Sequence, residues 1–184
     1  MMKKCLLFLC VLAILGGWGC SIVTSERPIG EMPLVLNPAE WEGTWITTEG
    51  APVVIKVEEP AKGRLKLAWI EGDKDMVLKT ASVTLLKSGA WNFANLTEDD
   101  RKNDRRVRYL FARVKKDKDN IIVWLPRPEK FARLVEGKIL PGSLAKETII
   151  LGELRPEHLK IIASEDRGVL FDWENPFVFT KTGE

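Results

Sequence analysis

Few residues of this chain could do chemistry. Its three cysteines are Cys5, Cys10 and Cys20, and its one histidine is His158. A thiolate is a nucleophile and a soft metal ligand. Cys20 stands where an apolar leader ends and is the last thiol of the chain. Beyond it there is no thiol, hence no disulfide and no cysteine metal site in the rest of the chain. A Ser–His–Asp triad would have to be built around His158. That residue follows Pro156-Glu157 in a predicted helix, where a histidine most often faces solvent. No glycine-rich phosphate loop follows a strand, and no His/Cys spacing suits zinc. Acidic pairs such as Glu40/Glu42 and Asp172/Glu174 carry no meaning without geometry. The expectation is a non-enzymatic chain without metal or cofactor. A hydrolase working through acidic residues is the remote alternative.

The segment before Cys20 explains its position. Lys3 and Lys4 form a short positive region. Cys5 to Leu15 is an unbroken apolar stretch of signal-peptide length. Gly16-Gly17-Trp18-Gly19 follows, with small residues at the first and third positions before Cys20. The run Gly17-Trp18-Gly19-Cys20 resembles the lipobox of bacterial lipoproteins, although that family usually has leucine where Gly17 stands and a small residue where Trp18 stands. The resemblance implies that residues 1–19 are a signal peptide and that Cys20 Sγ carries a diacylglyceryl group. It also implies that acyl chains hold the protein in a membrane, two or three chains being needed for firm anchoring. Ser21 stands where aspartate would retain such a protein in the inner membrane. By that family rule the address is the outer membrane, facing the periplasm, in a diderm source. A secretory signal without lipid, an uncleaved anchor and a cytosolic protein with a hydrophobic N-terminus are the alternatives. The glycine-rich second half of Cys5–Ser25 spans a bilayer poorly.

Lys3 and Lys4 account for the whole charge excess of 28 basic over 26 acidic residues. The chain after the leader is formally neutral, which argues against nucleic acid or an anionic bilayer surface as the main partner. The densest basic run, Arg101, Lys102, Arg105, Arg106 and Arg108, is interleaved with Glu98, Asp99, Asp100 and Asp104. Mixed signs at that density indicate a solvated loop.

Residues 20–36 carry Pro28, Gly30 and Pro33 without periodicity and read as a lipidated N-terminus and flexible tether. One β-rich domain is expected over 37–184. Asn37-Pro38-Ala39-Glu40 has the signature of a short helix start. Trp41–Thr47, Val53–Val57, Leu65–Ile70, Val77–Leu86, Trp91–Leu96, Arg106–Val114 and Ile121–Leu125 read as strands, with turn residues between them. Pro128 opens a helix that Gly137 stops, and Pro156 opens a second. Thr148–Leu154 and Phe177–Thr180 return to strand. The fold class is therefore mainly β (α+β): an antiparallel barrel or strongly curved sheet, with two or three short helices, mostly in the C-terminal third. A helical turn at Asn37–Glu40 followed by Gly43-Thr44-Trp45 on the first strand is similar to the opening of lipocalin-like (calycin) barrels. The resemblance implies that Trp45 plugs a closed barrel end, while Gly43 lets backbone pass close to its neighbours. The family's Thr-Asp-Tyr run and its late arginine stacked on the tryptophan are not found in the sequence.

Six tryptophans lie after the leader: Trp41, Trp45, Trp69, Trp91, Trp124 and Trp173. Large aromatics usually build core. Alternatively, several line a cavity for an apolar ligand, and the candidates for that role are Trp45, Trp69, Trp91, Tyr109 and Trp124. Asp172-Trp173-Glu174 sits in a tight polar segment and is a candidate recognition loop. The functional expectation is an envelope lipoprotein that binds a small apolar ligand or a partner protein. The alternative is a structural or assembly accessory acting through a loop or sheet edge.

Overall fold

The computed structural model describes residues 21–72, 76–98 and 108–183. The leader, Cys20 and the run Arg101–Arg106 lie outside these residues. The elements in chain order are β1 (Ile22–Ser25), β2 (Met32–Pro33), α1 (Pro38–Trp41), β3 (Gly43–Thr47), β4 (Pro52–Glu59), β5 (Arg64–Glu71), β6 (Val77–Ser88), β7 (Trp91–Glu98), β8 (Tyr109–Asp117), β9 (Asn120–Trp124), α2 (Pro128–Glu136), β10 (Gly142–Ala145), β11 (Thr148–Leu151), α3 (Pro156–Ser164) and β12 (Phe177–Lys181).

Strands β3 to β9 form an antiparallel meander. The chain then leaves the sheet for some fifty residues and returns as β12, which pairs with both β9 and β3. Since β8 also pairs with β9, eight antiparallel strands close on themselves. Closure removes the unpaired edges that an open meander would leave. The period-2 alternation of the strands decides what fills the barrel. Val53, Ile55 and Val57 point inward from β4, and Leu65, Leu67 and Trp69 from β5. Val83, Leu85, Ala94, Leu96, Val114 and Ile121 continue the same lining.

The wall made by β7, β8 and β9 is apolar on both faces. Its outward residues Trp91, Phe93, Phe111 and Trp124 belong to a second core, completed by Phe131 and Leu134 of α2, Leu159 and Ile162 of α3, and Leu170 and Phe171. This explains why Ile121–Val123 shows no polar alternation: each of these three residues faces one of the two cores. Helix α2 starts at Pro128 with its fixed φ and ends at Gly137, as the residue types dictate.

The end of the barrel that precedes β3 is closed. In α1, Asn37 Oδ1 accepts the Ala39 N–H at 3.2 Å, as an N-cap should. Trp41 belongs to this turn rather than to the strand, which starts at Gly43. Trp45 is wholly buried, and its Nε1–H donates to Trp41 O at 2.9 Å. A stacking cation does exist, but it is lysine: the Lys116 and Lys181 Nζ atoms lie 5.3 and 5.8 Å from the Trp45 ring centroid. Lys181 Nζ also donates to Ala39 O at 2.8 Å, tying β12 to α1. Gly43 has φ +127°, and a Cβ there would come within 3.2 Å of Lys181 Cε. The bare glycine lets this lysine cross it.

The stretch 21–36 is not a free tether. β1 lies between β11, with which it is parallel, and β8. Val23, Thr24, Ser25, Ile29 and Leu36 are buried. Ile29 N–H donates to Asn95 Oδ1 at 2.5 Å, and Asn95 Nδ2 donates back to Ile29 O at 3.0 Å, so this asparagine replaces a strand partner. Gly30, at φ +124°, runs against β6 where a Cβ would sit 2.4 Å from Leu86 Cβ. The proline and glycine content that suggests flexibility instead shapes a strap around the barrel. Its apolar residues fill separate slots, so they show no period.

Candidate functional site

The inward side chains do not quite fill the barrel. An apolar cavity of about 170 Å³ remains, bordered by Trp41, Trp69, Leu96, Leu110, Ala112, Val123 and Phe177 among others. Its origin is local. Ala94 and Ala112 are direct partners across β7 and β8, so two small side chains face each other where Leu or Val stands elsewhere. β8 also changes partner here. From Arg113 onward it pairs with β9, but Tyr109 and Leu110 pair with β1. The barrel wall therefore parts beside the cavity, at the end opposite α1.

The candidate ligand residues divide between the two cores. Trp69 borders the cavity, and Trp41, not among those candidates, does so as well. Trp45 is below it in the closed end. Trp91 and Trp124 project from the outer face of the wall into the second core, with ring centroids 6.3 Å apart. Tyr109 is half-buried on that outer face, paired with Ser25 of β1. The cavity-forming alanines escape sequence reading because their pairing depends on register.

Trp173 of the candidate recognition loop docks its ring inward, 4.6 Å from Trp124 and 5.2 Å from Trp91. Its Nε1–H donates to Glu165 Oε2 at 3.3 Å. Asp172 and Glu174 both face Arg127, at 3.0 and 3.4 Å. The Asn175 side-chain amide and the Arg127 guanidinium hold the Asp172 carboxyl below its ordinary value of 3.8. A depressed carboxylate contributes stability that is fully present above its unfolded value and is lost as pH falls through the folded one. The loop should therefore loosen only below pH 3.8. Trp173 fluorescence, followed against a Trp173→Phe control, should shift there while staying flat from pH 5 to pH 8.

Behind this loop lies Arg113, only 1% exposed. Its Nη2 donates to Ile162 O at 2.5 Å and Ala163 O at 2.9 Å, the carbonyls that end α3. Its Nη1 is 2.8 Å from Glu165 Oε1. The guanidinium carbon stands 4.4 Å from the Phe171 centroid and 4.6 Å from that of Trp91. Burial draws this guanidinium down to about 10, with Glu165 acting in the opposite sense. The arrangement is a clamp holding α3 onto the barrel wall.

His158 is also occupied: its Nδ1 accepts the Arg155 N–H at 3.1 Å, closing the first turn of α3. Among the described residues no three His, Cys, Asp or Glu side chains gather as a metal site, and no helix is long and apolar enough to cross a membrane. Comparison of the chain with protein-family models, with curated proteins and with solved structures finds no match.

Proposed function

We propose that this chain is a membrane-anchored envelope lipoprotein whose barrel binds a small apolar molecule, or the end of an acyl chain, without transforming it. The observation that carries this reading is the apolar cavity. At about 170 Å³ it is smaller than the sites that enclose drug-sized ligands. It matches the scale at which an apolar cavity stays dry and takes up a single ring. An eight-stranded barrel of this kind has room for one such guest. Anchoring through Cys20 rests on the lipobox-like leader.

The test is titration of the chain beginning at Ser21 with an apolar fluorescent probe and with medium-chain fatty acids, alongside Ala112→Leu. The wild-type chain should bind one equivalent. The variant should lose binding while its melting temperature holds or rises, because the added side chain fills empty space. Wild-type protein that binds nothing, or a variant that binds as before, refutes the ligand reading.

One observation favours the accessory reading. Ile70, Met76, Val77 and Leu78 are exposed on the hairpin that ends β5 and starts β6. Clustered exposed apolar side chains of this kind mark contact surfaces.

A further inference from the structure

The built-in position of β1 sets how an anchored molecule would stand. β1 is a middle strand, with Val23, Thr24 and Ser25 buried between β11 and β8. Its first residue is already engaged, since Ile22 N–H donates to Glu147 O at 2.8 Å. Cys20 is two residues away, and two residues of fully extended chain reach at most about 7 Å. An acyl group on Cys20 would therefore enter the bilayer beside the turn between β10 and β11. That turn, Lys146-Glu147, is exposed and follows the exposed Leu144 of β10, so an apolar side chain and a lysine, with one carboxylate beside it, are what this side offers to a headgroup layer. Direction follows from strand polarity. β8 runs from the parted end toward the closed end, and β1 is antiparallel to it. The N-terminus of β1 thus points toward the closed-end side.

We infer that the anchored domain rests directly on its own membrane, with the β10–β11 turn against the lipid headgroups and the parted end of the barrel turned away from that surface. This rests on the lipid-anchor reading of Cys20. Apolar ligand would then exchange with the aqueous side or with a facing partner rather than with the anchoring leaflet. The exposed hairpin with Ile70 and Leu78 would project the same way.

The test uses the processed, acylated protein in vesicles of phosphatidylethanolamine and phosphatidylglycerol containing a nitroxide-headgroup lipid. Leu144→Cys and Met76→Cys, made separately, are labelled with bimane; the thioether at Cys20 cannot react. The label at 144 should be quenched several-fold more than the label at 76. A flexible insert of about 16 residues after Ser21, reaching roughly 20–25 Å, should abolish that difference. Protein that floats with the vesicles but shows equal quenching, or stronger quenching at 76, refutes the apposition alone. Wild-type protein that does not float, or Cys20→Ser protein that floats equally well, refutes the anchor and the apposition with it.

Discussion

Arg113→Ala should lower the unfolding free energy by about 3–5 kcal/mol in a denaturant titration. Attraction to Glu165 is not the main reason. Burial draws the folded guanidinium down to about 10, well below the ordinary range of an arginine. A basic group depressed in this way favours the unfolded state at every pH below the folded value, and the penalty is relieved as pH rises through it. The charge is thus expensive to bury. What makes its loss severe is what it leaves behind. The carbonyls of Ile162 and Ala163 lose their donor, Glu165 loses its cation, and a void opens between Trp91 and Phe171. Lysine should not rescue, because it cannot fork toward two carbonyls while lying flat on two rings. Arg113→Met combined with Glu165→Gln should recover about half of the loss, since a buried pair replaced as a unit is often tolerated. A single variant within about 1 kcal/mol of wild type, or a double variant as unstable as the single, would contradict the clamp.

Trp45→Ala should cost a similar 3–5 kcal/mol, the usual penalty for truncating a buried tryptophan. Trp45 is the largest of the fully buried side chains. Its removal empties the closed end, frees Trp41 O and takes away the ring beneath Lys116 and Lys181. α1 should then loosen, because it loses the Trp45 bond and keeps only the Lys181 contact, the Glu42 bond to β4 and the buried Trp41 ring to hold it on the barrel. Trp45→Phe keeps most of the volume but leaves Trp41 O unpaired, so a loss of about 1–3 kcal/mol is expected. Calorimetry of both variants gives the comparison. Equal stability of the phenylalanine and alanine variants would show that the hydrogen bond, not the ring volume, holds this end.

Alternation and turn chemistry make the meander from β3 to β9 readable; Pro128 and Gly137 place both ends of α2, and Pro156 the start of α3. What escapes is non-local. β1 is only four residues long, and its parallel partner β11 lies more than a hundred residues away. No local period can reveal such a pair. β10 is fully exposed and so has no apolar signature. Arg113 continues the outward face begun by Tyr109 and Phe111, and on that face an arginine reads as solvated. Its burial depends on α3 landing there. The same limit applies to the candidate ligand residues. Composition shows six tryptophans, but only register assigns Trp69 to the barrel and Trp91 and Trp124 to the other core.

The shared wall of β7, β8 and β9 works as a party wall between two rooms. Slender side chains such as Ala94, Ala112 and Val114 face one room, while Phe93, Phe111 and Arg113 face the other. A slip of one residue along any of these strands would exchange the furnishings, forcing rings and a charge into the barrel and leaving alanines to support two helices. Neither room can be refitted or dismantled alone. The two halves must assemble together and come apart together, and a guest that swells the barrel presses on the strands to which the helices are fastened.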